Sequence, residues 1–200
     1  MKNKDILGLP IFCNHETTLK NTSYNDTAHR YMTESLLPVV DFDDVKTEYV
    51  RMYSCSPTPQ SNDALAIIDG ELYFIEFKDG NMRSEIHGVK RKIFESLLLF
   101  CDIINATISF TRERVNYILV YNKQKSEAYI KHLLEREEVQ ETPSLDSLMD
   151  DLGKLAHHNI DYFGLRQQFQ NIYFKEVYTY TALYNFYAAS EVDEASLHKA

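Results

Sequence analysis

The sequence has few of the residues that break, loosen or cross-link a chain. Only six glycines and five prolines occur among 200 residues, and they are scattered. This distribution excludes a collagen-like or low-complexity protein and makes a long flexible linker unexpected. Because 44% of the residues are hydrophobic, the chain can bury one core, and we predict a single domain over residues 1–200.

Cysteine is equally sparse. Cys13, Cys55 and Cys101 are odd in number, widely spaced and without a CxxC pair. Neither a disulfide framework nor a zinc ribbon is therefore expected, and a reducing cytoplasm is the predicted location. Cys13 and His15 have a spacing that could begin a zinc site, but no second pair accompanies them, so a loop or core role is favoured.

Long apolar runs are missing as well. The apolar stretch near the N-terminus is short and is interrupted by Pro10, and no other segment has the length of a membrane span. We therefore expect a soluble protein with no membrane partner. The sequence also has no P-loop, GxGxxG, GxSxG or HExxH motif, which removes several common classes of enzyme.

Positive charge is in deficit, with 21 Lys and Arg against 30 Asp and Glu, which gives a net charge of −9. Such a balance opposes nucleic-acid binding unless basic residues are gathered locally. Part of the excess acid lies between Glu135 and Asp151. A local basic patch also exists and is predicted to contact phosphate, with a solvated helix face as the equal alternative. Its members are Arg83, His87, Lys90, Arg91 and Lys92.

Hydrophobic periodicity predicts an α/β fold with a central mixed β-sheet flanked by helices. The predicted order is helix, three strands, helix, strand, followed by further helices and a strand. The core elements are a helix over 27–37 with Asn25 or Asp26 as its N-cap, strands over 45–53, 64–69 and 71–77, a helix over 85–104 and a strand over 115–122. Beyond them we predict helices over 126–138 and 144–158, and a strand followed by a helix within 172–187. Residues 1–25 are predicted to be an arm or an irregular first element.

The dipeptide Asp69-Gly70 predicts a two-residue type I′ hairpin turn, and that turn fixes the register of the flanking strands. Ile68 then pairs with Glu71, and Asp63 lies opposite Glu76 with Cβ atoms roughly 4.5 to 5.5 Å apart. Lys78 projects from the same face. Two opposed carboxylates repel, so this cluster needs a bound cation, a shared proton or compensation by Lys78. Mg²⁺ or Mn²⁺ would suit two carboxylates and the backbone carbonyl of Phe77.

The pattern N-D-x₁₂-E-F-K resembles the signature of the PD-(D/E)xK nuclease superfamily. The resemblance covers a core of about residues 26–121, with 122–200 as an elaboration, and Asn62 stands where proline is common. It implies a restriction-endonuclease-like fold in which Asp63 and Glu76 hold the metal and Lys78 orients or helps to deprotonate the attacking water. The implied function is hydrolysis of phosphodiester bonds, in DNA rather than RNA, in restriction, repair or phage defence.

Several alternatives remain open. Many members of the superfamily place an acid on the first helix; Glu34 is the best match here, and Glu48 is the rival. The charged hairpin could instead be a surface ladder that binds nothing, or part of an inactive nuclease-like scaffold that serves as a binding or regulatory subunit. The tyrosine-rich C-terminal segment could form the interface of a homo-oligomer. Its tyrosines are Tyr173, Tyr178, Tyr180, Tyr184 and Tyr187.

Overall fold

A computed structural model describes residues 3–136, 140–141, 156–157 and 160–182. The helices are α1 (Asn3–Leu7), α2 (Pro10–Cys13), α3 (Leu19–Thr22), α4 (Phe42–Tyr53), α5 (Met82–Ile103), α6 (Ile108–Arg114), α7 (Lys123–Glu135) and α8 (Leu165–Phe169). The strands are β1 (Glu16–Thr18), β2 (Tyr24–Asn25), β3 (Arg30–Tyr31), β4 (Pro38–Asp41), β5 (Ala64–Ile68), β6 (Glu71–Lys78), β7 (Val115–Tyr121), β8 (Gln140–Glu141), β9 (Ala156–His157), β10 (Ile160–Asp161) and β11 (Val177–Thr181).

The fold is a mixed α/β fold whose central sheet is flanked by helices. The strands are ordered β1-β4-β5-β6-β7-β11, with the two-residue β9 as a seventh strand at one edge. Strands β1, β4, β5 and β6 pair antiparallel, whereas β6, β7 and β11 run parallel. The three parallel strands therefore all end at the same end of the sheet, its carboxyl edge. That edge carries Glu76 and Lys78.

The two faces of the sheet bury different apolar layers because side chains alternate along each strand. On one face Leu65, Phe74 and Leu119 pack with apolar residues of α4 and α5. On the other face lie Ala66, Ile75 and Val120, in a cluster with Leu19 and Met32. The central strands β6 and β7 are covered on both sides, which accounts for their nearly continuous apolar sequences.

The predicted hairpin is confirmed. Asp69 and Gly70 both have positive φ, 50° and 81°, as a type I′ turn requires, and Ile68 pairs with Glu71. The elements predicted around it are also found, with small shifts of their ends: the helix over 85–104 is α5, and the strand over 115–122 is β7. The helix over 126–138 corresponds to α7, and the C-terminal strand is β11.

The helix predicted over 27–37 is wrong. The side chain of Asn25 does not cap a helix but accepts the Ala28 N–H at 2.8 Å, which closes a turn. His29 then adopts a φ of 49°, and Tyr24–Asn25 pair antiparallel with Arg30–Tyr31. The segment is a short hairpin followed by irregular chain up to β4.

The strand predicted over 45–53 is also wrong, because these residues belong to α4. The Asp41 carboxylate accepts the N–H groups of Asp43 and Asp44 at 3.0 and 3.1 Å and so caps the helix. Phe42 and Val45 are buried beneath it. The first strand of the antiparallel set is β4, which precedes the helix.

The remaining predictions concern the two ends of the chain. Residues 3–25 contain three short helices and strand β1 rather than only irregular chain. The helix predicted over 144–158 lies outside the described residues except for Ala156–His157, which form β9 instead. The predicted helix after β11 lies outside them too, as do Tyr184 and Tyr187.

No single helix in the described part of the chain is long and apolar enough to cross a membrane. Helices α5 and α6 have sufficient length and apolar content only when taken together, and the chain is bent by 106° between them.

Candidate active site

Asp63 is held at the start of β5 by contacts on both sides. Its Oδ2 accepts the backbone N–H of Phe77 at 2.6 Å, in line with the predicted position opposite Glu76. The loop before it is fastened to α5, since the Asn62 N–H donates to the buried Ser96 Oγ at 2.7 Å. The Gln60 N–H donates to Glu95 of the same helix. Asp63 is thus positioned by α5 as well as by the hairpin.

Glu76 reaches the same place from β6 and is fully buried, with 0% of its side chain exposed. The Lys78 Nζ lies 2.7 Å from its Oε1. This contact has ion-pair distance without hydrogen-bond alignment, and among the described residues neither oxygen of Glu76 has an aligned donor. The predicted cluster of Asp63, Glu76 and Lys78 is therefore brought together, and its most buried anion is held by charge.

Lys92 completes the cluster from α5. Its Nζ lies 2.9 Å from Asp63 Oδ1 and 2.9 Å from Glu76 Oε1, so one ammonium bridges the two carboxylates. Its position explains why two anions can be opposed in the hairpin. The sequence predicted Lys92 as a phosphate contact on a solvent-facing patch; in the structure it points inward, with only 18% of its side chain exposed.

Burial is the largest single influence on the pKa values of Glu76, Lys92 and Tyr117. It raises the pKa of Glu76 to about 7; the charge of Asp63 acts in the same direction, and Lys92 and Lys78 oppose it. Burial alone would lower the pKa of Lys92, but Asp63 and Glu76 raise that pKa above its ordinary value. Burial likewise raises the pKa of the Tyr117 hydroxyl, and the charges of Glu76 and Asp63 add to that increase. Glu76 thus has a pKa close to neutral pH and lies beside Lys92, whose raised pKa keeps that side chain positively charged.

A polar cavity of about 150 Å³ lies beside Asp63. Its lining is Thr22, Ser23, Tyr24, Asn25, Met32, Asp43, Asp63, Phe77 and Asp79. The amide N–H of Phe77 points toward Asp63. In a β-strand the N–H and the carbonyl of one residue point to the same side of the strand, so the Phe77 carbonyl is directed to the Asp63 side as well. The cavity therefore offers carboxylate oxygens and backbone polar groups to a ligand.

Asp43 is the further acid of this cavity, and the sequence reasoning missed it. Its Oδ1 accepts from the Ser61 hydroxyl at 2.5 Å and from Lys46 Nζ at 2.8 Å. Burial would raise the pKa of Asp43, but these two donors and the charge of Lys92 together lower it below its ordinary value. The signal was present in the sequence, because Asp43 is in the first turn of a helix whose N-cap, Asp41, was not recognised.

The two acids predicted for this role lie elsewhere. Glu34 is on irregular chain rather than on a helix, is exposed, and its carboxylate pairs with Lys20 at 2.5 Å. Glu48 is on α4 rather than on a strand and pairs with His15 Nε2 at 2.7 Å. Neither lines the cavity beside Asp63.

The rest of the predicted basic patch lies on the outer side of α5. Arg83, His87 and Arg91 are exposed, and Lys90 is half-buried. Arg91 Nε donates to Glu95 at 2.7 Å, one helical turn away, which partly neutralises it. A contact with phosphate by these four side chains stays a prediction.

A second buried anion, Asp79, borders the cavity immediately after β6. Arg30 of β3 binds both of its oxygens, at 2.9 and 3.1 Å, and the Asn122 amide donates to it at 2.8 Å. Lys125 Nζ is 3.4 Å away. Asp79 therefore ties the β2-β3 hairpin to the ends of β6 and β7 and brings two cations to the border of the cavity.

The donor set fits a hard divalent cation, with one restriction. Among the described residues, no three His, Cys, Asp or Glu side chains are grouped as a ready-made metal site. An ion would rest on Asp63, Glu76 and the Phe77 carbonyl, with waters completing its shell, as Mg²⁺ commonly does. The fit is supported by the buried carboxylate of Glu76, whose Oε1 contacts the ammoniums of Lys78 and Lys92 and whose Oε2 has no hydrogen-bond donor in the described part of the chain.

The chain was compared with known proteins at the level of families, sequences and structures. No protein-family model, curated protein or solved structure matches it at a significant level. The case for a function therefore rests on the geometry of the site.

Proposed function

We propose that this protein is a metal-dependent nuclease of the PD-(D/E)xK kind that hydrolyses phosphodiester bonds, in DNA rather than in RNA. One observation carries the proposal. Asp63 and Glu76, one from each arm of the hairpin, place an oxygen within 2.9 Å of the same nitrogen atom. Two acids that converge in a largely buried place, one of them with a raised pKa, are the arrangement expected of a candidate functional site.

In this proposal Asp63, Glu76 and the carbonyl of Phe77 hold Mg²⁺ or Mn²⁺. The ion supplies a water of lowered pKa and neutralises charge that develops on the phosphate. Lys78, whose Nζ is 2.7 Å from Glu76, would orient the attacking water as an ammonium, or would accept its proton if the side chain has first lost its own proton and is a neutral amine. It also adds positive potential where the phosphate oxygens become more negative.

The fold supports the same assignment. In the resemblance, a helix comes first and three strands, a helix and a further strand follow it; the helix predicted for the first place, over 27–37, does not form. The described chain supplies β4, β5 and β6 as an antiparallel set, then α5, then β7 parallel to β6. Helix α4 is inserted between β4 and β5. The candidate residues lie where the hairpin, α5 and the carboxyl end of β6 meet.

The cavity offers an approach for the nucleic acid. Tyr24 lines it, is 42% exposed and packs against Tyr31 with ring centroids 4.9 Å apart. A partly exposed tyrosine of this kind can stack on an unpaired base. Arg30 and Lys125, held on Asp79, add positive charge at the border of the cavity. These residues would orient a strand with its phosphate toward Asp63.

The experiment is cleavage of plasmid and single-stranded DNA by the purified protein with Mg²⁺ or Mn²⁺. We expect cleavage by the wild type and loss of at least about a hundredfold in rate for Asp63→Asn and Glu76→Gln, as removal of one main electrostatic group costs. Glu71→Gln is the matched control, because Glu71 is on the same strand at its other end and pairs with Lys175. Cleavage that persists in both site variants would reject the proposal.

The second candidate is an inactive nuclease-like scaffold that serves as a binding or regulatory subunit. The observation that favours it is Lys92, whose ammonium together with that of Lys78 balances the two carboxylates without any metal. Calorimetric titration of Mn²⁺ into wild type and Glu76→Gln separates the two candidates. Binding heat that disappears in Glu76→Gln supports the nuclease, whereas absence of both heat and cleavage supports the scaffold.

A further inference from the structure

Lys92 occupies the position between Asp63 Oδ1 and Glu76 Oε1, where a cation bound by those two oxygens would lie. Its Nζ lies 2.9 Å from an oxygen of each carboxylate. A divalent ion such as Mg²⁺ requires oxygen ligands at about 2.0 to 2.1 Å. The ammonium and the ion therefore cannot both lie between the same two oxygens.

The charges of the cluster lead to the same conclusion. Asp63 and Glu76 are balanced by Lys78 and Lys92, and the Glu76 side chain is 0% exposed. A divalent ion added to this balanced set would leave uncompensated positive charge in a poorly hydrated place, which is costly. Departure of one ammonium from the carboxylates reduces that excess.

Of the two lysines, Lys92 is the one whose departure from the carboxylates would open the space between them. Lys78 contacts Glu76, whereas Lys92 contacts both carboxylates and so blocks the position between them. Its side chain comes from α5, across from the hairpin, and is already 18% exposed. A flexible four-carbon stem allows its ammonium to turn to solvent or to a bound anion.

We infer that Lys92 is an internal counter-ion that holds Asp63 and Glu76 together in the metal-free protein and leaves them when a divalent cation binds. The inference rests on the proposed function, because it assumes that these two carboxylates are metal ligands. It gives Lys92 a positioning role in the metal-free protein, in addition to the predicted contact with phosphate. The ammonium that is released becomes available to the phosphate of a substrate.

The first test uses the wild-type protein and does not depend on activity. Lysine side chains are acetylated briefly with acetic anhydride, with and without Mn²⁺, and each labelled peptide is quantified by mass spectrometry. We expect labelling of Lys92 to rise several-fold with Mn²⁺, because its amine is freed from two carboxylates. Lys175, paired with Glu71 at the other end of β6, is the internal control and should not change.

The second test measures Mn²⁺ binding by calorimetry in Lys92→Met and Lys92→Arg. Lys92→Met removes the competing cation and should bind Mn²⁺ about tenfold more tightly, the equivalent of about 1.4 kcal/mol. Lys92→Arg retains a cation able to pair with both carboxylates and should bind no more tightly than the wild type. If Lys92→Met fails to fold, the labelling experiment on the wild type still decides the question.

The outcomes distinguish the two proposals. Binding of Mn²⁺ to the wild type with unchanged labelling of Lys92 and equal affinity in Lys92→Met overturns the exchange and leaves the nuclease proposal standing. Absence of Mn²⁺ binding in the wild type and in Lys92→Met overturns both. Tighter binding by Lys92→Met in a protein that does not cleave DNA supports the exchange and rejects the nuclease activity.

Discussion

The pKa of Glu76 links the site to the stability of the whole chain. Its pKa in the folded protein is raised to about 7, above the ordinary value of 4.5, chiefly because the side chain is buried. Below the lower value both the folded and the unfolded state carry the proton, and the full stabilisation is present. Between the two values the unfolded state releases its proton first, so stability falls as pH rises, and above about pH 7 the contribution is lost.

We therefore predict that, without divalent ions, the free energy of unfolding falls between about pH 5 and pH 7.5 by up to about 3 kcal/mol, because a tenfold change in proton affinity is worth about 1.4 kcal/mol. Urea unfolding followed by circular dichroism at each pH measures it. Glu76→Gln cannot ionise at this position and should show a flatter profile over the same range. Equal slopes in the two proteins would mean that another group controls this pH dependence.

At the scale of elements, the site depends on how α5 holds the loop before β5. The buried Ser96 hydroxyl accepts the Asn62 N–H at 2.7 Å, one residue before Asp63. Helix, loop and hairpin are thus joined at the residue that carries the acid. Loss of this acceptor would leave a buried N–H without its partner, which typically costs about 1 to 3 kcal/mol.

Ser96→Ala is accordingly expected to lower the free energy of unfolding by about 1 to 3 kcal/mol and to weaken Mn²⁺ binding, because Asp63 is less well held. Ser84→Ala is the matched control on the same helix, since the Ser84 hydroxyl donates to Asn81 at an exposed position near the helix start. Its effect should stay within about 0.5 kcal/mol. Urea unfolding and calorimetry provide the two readouts. Equal effects of the two substitutions would show that the Ser96 contact does not hold the loop.

Elements with local signals were predictable from the sequence. The dipeptide Asp69-Gly70 determined the turn and the register, which runs as far as Ala64 opposite Ile75, and the next residues on the two strands, Asp63 and Glu76, meet at Lys92. Helix α5 has a long apolar stripe with a period of about 3.6 residues, and β7 is a short apolar run that is buried along its length. In each case the local pattern and the tertiary environment agree.

The failures come from places where one polar side chain decides between two local structures. Asn25 has the appearance of a helix cap but closes a turn, because its oxygen accepts the Ala28 N–H and the chain then forms a hairpin. Asp41 is the cap that was overlooked, so the β-branched and aromatic residues of α4 were read as a strand. That error hid Asp43. The inward direction of Lys92 depends on how α5 packs against the hairpin, which no local pattern in the sequence contains.

At the scale of the whole molecule, the net charge of −9 opposes the approach of DNA. Salt screens this repulsion, since the Debye length falls from about 30 Å at 0.01 M to about 8 Å at 0.15 M. We predict that the association rate constant for a short DNA rises over this range, measured by stopped-flow anisotropy with Glu76→Gln and no divalent ion. For a protein whose positive patch steers DNA, the rate would fall instead.

The acidic segment between Glu135 and Asp151 supplies the control for this prediction. Replacing six of its acids with Gln or Asn removes six negative charges and should raise the association rate constant at low salt. At high salt the rate constants of the variant and the parent protein should be equal. A rate that falls with salt in both proteins would mean that the outer side of α5 dominates the approach. The six acids are Glu137, Glu138, Glu141, Asp146, Asp150 and Asp151.

The parallel run of β6, β7 and β11 has a practical consequence for anyone who prepares this protein. Because Ala182 follows β11 and donates its N–H to Tyr121 at 3.2 Å, the chain leaves the sheet at the same edge as Glu76 and Lys78. Asn3, in contrast, donates to the Gly70 carbonyl at 2.8 Å, at the turn end of the hairpin. An affinity tag attached before α1 would start at the turn end of the hairpin, opposite the end that carries the carboxylates, where its histidines should compete little for added manganese.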